Sequence, residues 1–65
     1  MEISNKIKIT QEDFKNLIKI QLESINCERY KILSPYIVMV DDEHKKDANL
    51  ILTVLFNIFE PINEN

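Results

Sequence analysis

Glycine and tryptophan are absent from this 65-residue chain, which also has only one cysteine, one histidine and two prolines. An average composition would supply about 7% glycine. Loops that cradle phosphate need glycine for close backbone approach, so Walker-type and dinucleotide-type loops are excluded. Any position that demands positive φ must fall to Asn or Asp, and Asn26 is the best placed. With only Cys27, no internal disulfide framework can form. Together with the lack of a signal-peptide pattern, this leads to the expectation of a reducing, intracellular, cytoplasmic setting. No stretch approaches the roughly 20 apolar residues of a membrane span, so no membrane partner is expected. The missing glycine also has a plain origin. Ile, Asn and Lys supply 25 residues while Gly, Ala and Arg supply two, the bias of AT-rich coding sequence, which suits a bacterium, a phage or another mobile element.

What remains is globular in class: 45% hydrophobic and 29% charged. The length implies a single domain, residues 1–65, with 61–65 a polar tail. Such a domain is near the lower limit for folding without a disulfide or metal. The net charge of −3 is uneven. Met1 to Lys31 carries six basic and five acidic side chains, and the remainder carries two basic and six acidic ones. General affinity for nucleic acid is therefore not expected.

Along the chain, Ile3, Ile7 and Ile9 share one side of an extended segment opposite Lys6 and Lys8, the period of a half-buried strand. Thr10 reads as a helix N-cap followed by Gln11, Glu12 and Asp13. From Gln11 to Ile25, the residues Phe14, Leu17, Ile18, Leu22 and Ile25 follow helical spacing. Lys15 and Lys19 are placed to pair with Glu12 and Glu23. Gln21 falls within the apolar stripe, where a buried amide needs partners, either across an interface or on a backbone carbonyl. Ile20 falls outside the stripe, as an ordinary surface residue. Tyr30–Leu33 and Tyr36–Val40 are rich in aromatic and β-branched residues and read as strand, the second apolar on both faces like a central strand. Pro35 between them fits an edge, a bulge or a strand start.

The contested stretch is Ala48–Phe59, nine of whose twelve residues are apolar. A strand would interleave Ile51, Leu55 and Phe59 with Asn49, Thr53 and Asn57 on one face. A helix lines up Lys46, Asn49, Thr53, Asn57 and Glu60 on one narrow stripe. Asp41 or Asp42 can cap that helix, Glu43 suits its first turn, and Pro61 stops it. The helix is preferred, giving an α+β fold: a small two-layer β-α-β-α domain with room for an extra short strand around Pro35. The alternative is β-α-β-β with Ala48–Phe59 as a strand. A first helix crossing between parallel strands would do so right-handedly.

The only dense polar cluster is Asp41–Asp47. Asp41, His44 and Asp47 are three apart on a helix, but that spacing is nonspecific for metal, and a solvated helix start accounts for it. Cys27 and His44 would make a nucleophile only in contact and with a third group orienting the imidazole. No catalytic, cofactor or metal site is therefore assigned. The expectation is a small non-enzymatic protein-interaction module, an adaptor or an inhibitor of a larger protein, suited to a phage or mobile element. Ile51, Val54, Leu55, Ile58, Phe59 and Gln21 are its candidate partner or self-association residues, with a homodimer the simplest assembly. Asp41, Asp42 and Glu43 offer an acidic contact surface. The alternative is a dimeric nucleic-acid-binding regulator using Lys6, Lys8, Lys15, Lys19, Arg29 and Lys31.

Overall fold

The computed structural model of the chain describes residues 5–63. Its elements run β1 (Ile7–Ile9), α1 (Gln11–Ser24), β2 (Tyr30–Ser34), β3 (Ile37–Val40), a 3-10 turn (Asp42–His44), α2 (Lys45–Ile58) and β4 (Phe59–Pro61). Two helices and four strands, paired both parallel and antiparallel, make it an α+β domain. Ile3, assigned above to the first strand, lies outside the described residues.

The helix α1 forms where its spacing requires. Thr10 is extended and its hydroxyl accepts from Asp13 N at 3.0 Å, with Glu12 and Asp13 in the first turn. Phe14, Ile18 and Leu22 are fully buried, with Leu17 and Ile25 packed beside them. Ile20 is exposed, as expected. Lys15 pairs with Glu12 at 3.3 Å. Glu23 instead accepts a hydrogen bond from the Tyr30 hydroxyl at 3.0 Å, which ties the end of α1 to β2.

The stop of α1 is set by Asn26. Its φ of 62° is the only positive value among the described residues, so the left-handed position predicted from the lack of glycine is confirmed. Cys27 N donates to Leu22 O at 3.0 Å and Asn26 N to Glu23 O at 3.1 Å. These are the paired 6→1 and 5→2 bonds of a Schellman motif, in which the apolar residues at its two ends also meet. Cys27 and Leu22 accordingly both lie in the core.

The middle of the chain folds as an antiparallel hairpin in which Tyr30 faces Val40, Lys31 faces Met39 and Ile32 faces Val38. Leu33 is the extra residue of an irregularity between Ile32 and Ser34. Pro35 and Tyr36 form the turn, and the Ser34 hydroxyl accepts from both Tyr36 N and Ile37 N at 3.1 Å. Tyr36–Val40 is therefore not a central strand. The strand β3 pairs only with β2, and Ile37 and Met39 are more than half exposed.

The contested stretch is helical from Ala48 to Ile58. Asp41 is the N-cap of the preceding 3-10 turn, but neither Asp41 nor His44 makes a side-chain cap bond. Pro61 does not directly stop the helix, nor does it open a polar tail. The chain turns extended at Phe59, and β4 pairs parallel with β1: Ile7 with Phe59, Lys8 with Glu60, Ile9 with Pro61. Pro61 is buried there although it cannot donate, because the next residue supplies the bond, Ile62 N to Ile9 O at 2.8 Å. Gln11 Nε2 donates to Ile62 O at 3.1 Å, extending the lock by one residue. The parallel partner of β1 is thus β4, and α1 leads into a separate ribbon and not across to a parallel neighbour.

The helix α1 touches α2, β2 and β4, and so joins the two ribbons. Phe56 stacks between Phe14 (4.7 Å between ring centres) and Tyr36 (5.5 Å), linking both helices to the hairpin turn. The molecule is a slab of 40 × 23 × 16 Å.

Asn26 gives this arrangement a sharp test. A left-handed residue with a β-branched side chain costs about 1–2 kcal/mol, or roughly 4–16 °C of melting temperature in a domain this small. Thermal melts followed by circular dichroism are expected to show Asn26→Val lowering the midpoint by that order and Asn26→Gly leaving it unchanged or raised. Equal midpoints for the two variants would remove Asn26 from the left-handed position.

Candidate functional site

Two places carry features that the core does not use. The first is the outward face of α2. As the spacing predicted, Lys46, Asn49, Thr53 and Asn57 are exposed on α2, whereas Glu60 has left the helix for β4 and is half-buried. The apolar side is not wholly covered, however. Leu50 is 65% exposed, Val54 47% and Ile58 45%. These three are four residues apart, so they form a single ridge along the helix. Beside it runs an open groove of about 370 Å³ lined by Gln21, Leu50, Ile51, Val54, Leu55 and Ile58.

Five of the six residues singled out from the sequence meet in that groove. Leu55 forms its buried floor, Ile51 is half-buried, and Val54 and Ile58 stand in solvent. Gln21 is exposed at the rim from α1 and is not at a buried position, so its amide needs no protein partner. Phe59 is the exception: it has left the helix and stands opposite Ile7 in the parallel pair. Leu50, the most exposed member of the ridge, was missed. It lies seven residues, nearly two full turns, from Asn57 and so almost eclipses the polar stripe. That neighbourhood was the available signal for its exposure.

The second place is the corner where the hairpin ends. Because Tyr30 faces Val40, the residues before β2 and after β3 are brought side by side. Cys27, Asp41 and His44 converge there, with one ligand-type atom from each lying within 4.8 Å of the others. Asp41 Oδ1 lies 2.6 Å from His44 Nδ1. This hydrogen bond raises the imidazole pKa, although desolvation opposes it. Cys27 is 1% exposed and its thiol makes one long contact, 3.7 Å to Arg29 O. Burial pushes the thiol pKa up, and the Asp41 charge pushes it further. The group that would orient the imidazole, Asp41, is thus present, but the thiol bonds Arg29 O and makes no hydrogen bond to His44. The environment also disfavours the thiolate, the reverse of an activated cysteine.

Asp47, on the notional metal stripe with Asp41 and His44, is exposed and stands outside this cluster. The acidic contact surface is also partly spent within its own segment. Asp41 bonds His44, and Asp42 pairs with Lys45 at 2.8 Å, which holds its carboxyl below the usual range, while both Asp42 and Glu43 stand exposed. Lys8 lies in β1, Lys15 and Lys19 in α1 and Lys31 in β2, while Lys6 and Arg29 come just before β1 and β2. Lys15 pairs with Glu12, while Arg29 and Lys31 share an open hollow with Glu28 and Asp41.

No family model, curated protein or solved structure matches this chain. Any function must therefore be argued from these two places. Among the described residues no helix is long and apolar enough to cross a membrane.

The division of α2 into a buried and an exposed side can be tested with neighbouring residues. Urea unfolding is expected to show Thr53→Asp, on the exposed polar stripe and off the apolar ridge, within about 0.5 kcal/mol of the parent, as surface changes usually are. Leu55→Asp would bury an unpaired carboxylate at a cost of several kcal/mol, enough to leave the chain largely unfolded. A folded Leu55→Asp variant would overturn this register.

Proposed function

We propose that this chain is a non-enzymatic protein-interaction module that works as a two-fold pair, with the outer face of α2 as the contact. The observation that carries the reading is the ridge of Leu50, Val54 and Ile58 on α2, together with the apolar groove that it walls opposite Gln21 of α1. Ridges four residues apart pack into grooves of the same spacing on a facing helix, the commonest helix-packing class. A surface that carries both the ridge and the groove is self-complementary, as a two-fold contact requires. A second copy is therefore the simplest occupant.

Composition and charge support the same reading. Ten large apolar side chains among the described residues are more than one-third exposed, spread over the ribbons and both helices. Pairing through α2 would leave the hairpin residues Leu33, Tyr36, Ile37 and Met39 for a larger partner, as an adaptor or inhibitor needs. Exposed aromatic and Met side chains are enriched at such interfaces. A source in a phage or mobile element fits the coding bias and the size, by association only.

The test is the mass in solution. Light scattering is expected to give twice the chain mass at roughly 100 μM, consistent with a dissociation constant on the order of micromolar. Replacing Leu50 and Ile58 together by Asp is expected to return a single-chain mass with an unchanged circular dichroism spectrum. A single-chain mass for the parent at millimolar concentration would contradict the proposal. So would a dimer that survives the double replacement.

A further inference from the structure

We propose that Cys27, Asp41 and His44 form a binding site for one thiophilic divalent cation, with Zn²⁺ its natural class of occupant. The inference is independent of the α2 face. It rests on three side chains delivered from two separated segments of the fold, the stop of α1 and the turn that follows β3. The Schellman stop of α1 fixes Cys27, the residue after β3 supplies Asp41, and the 3-10 turn into α2 supplies His44.

The donor set is that of zinc. Thiolate, imidazole and carboxylate together suit Zn²⁺ or Co²⁺, whereas Mg²⁺ and Ca²⁺ take oxygen donors alone. The size also fits. Metal–ligand lengths of about 2.0–2.3 Å at tetrahedral angles put ligand atoms about 3.3–3.6 Å apart. Here the three atoms lie within 4.8 Å of one another, and Asp41 Oδ1 and His44 Nδ1 are 2.6 Å apart. Changes of about 1 Å, closing the longer separations and opening the shorter one, would complete the geometry. The ionised thiolate and carboxylate together carry two negative charges, which a divalent ion neutralises.

Access and a fourth ligand are available as well. Cys27 borders a hollow of about 560 Å³ with Glu23, Asn26, Glu28 and Tyr30. Asp41 and His44 border another of about 330 Å³ that shares Asn26 and Glu28. Cys27 itself is buried, so an ion enters from the partly exposed Asp41–His44 side, where water can fill the fourth position. The consequence for the fold is a clamp, because an ion there ties the end of α1 to both ends of the hairpin and to the start of α2. A domain of this size is of the class that uses a metal in place of a larger core. Binding displaces the thiol proton, which the metal's own charge makes favourable even in a buried setting.

The test uses the full untagged chain, reduced, titrated with Co²⁺ alone and then with Zn²⁺. The expected result is one Co²⁺ per chain, with a near-ultraviolet thiolate-to-metal charge-transfer band that Zn²⁺ abolishes and Mg²⁺ does not. Zn²⁺ at about a hundred times its dissociation constant should raise the melting temperature by roughly 11–22 °C. His44→Gln and Cys27→Ser should each weaken Co²⁺ binding at least tenfold, while Asp47→Asn should leave it unchanged. His44 is only half-buried, so its variant keeps the test open if Cys27→Ser fails to fold. Absence of the band at millimolar Co²⁺, or affinity unchanged in His44→Gln, would overturn the site.

Discussion

One stripe of α1 supports everything else in this fold. Phe14, Ile18 and Leu22 are each fully excluded from water, and each of the other layers leans on the helix that carries them. Neither two-stranded ribbon is of a size that holds its shape alone in water. A 65-residue domain has a total stability of about 3–10 kcal/mol, and truncating one buried Phe or Leu to Ala costs about 2–5 kcal/mol. On those magnitudes a single change in the stripe consumes a large part of the stability of the whole molecule. The Schellman stop follows from the same constraint. It ends α1 where Leu22 is buried and turns the chain so that Cys27 enters the core beside it.

The elements that were legible in the sequence are those specified locally. The cap at Thr10, the apolar face of α1, the left-handed Asn26 and the polar stripe of α2 each depend on a residue and its near neighbours. The elements that were not legible depend on pairing between distant segments. Nothing local to Phe59–Pro61 announces a strand, because three residues ending in proline extend only when Ile7–Ile9 is there to pair with them. Gln21 looked buried because helical spacing fixes the azimuth of a residue and not whether a neighbour covers it. The Cys27–Asp41–His44 corner was hidden for a related reason. Its members sit 14 and 3 positions apart in the chain, and only the hairpin register makes them neighbours.

Function, on this account, follows from how little one thin slab can cover. The inner side of α2 gives Ala48 and Leu55 to the core, and Phe56 bridges Phe14 to Tyr36. That leaves an apolar ridge and a groove facing outward with the polar stripe alongside. A second copy offers the same pair of features in the complementary order. The polar stripe would then remain at the rim, where a wet edge is tolerated.

The most direct test of that central claim is a concentration series of methyl NMR spectra on the parent chain. The account predicts that the Leu50, Val54 and Ile58 methyl resonances shift with concentration along one two-state line while those of Ile18 and Leu22 stay fixed. Methyl shifts confined to the β2–β3 hairpin, with the α2 ridge unmoved, would contradict it.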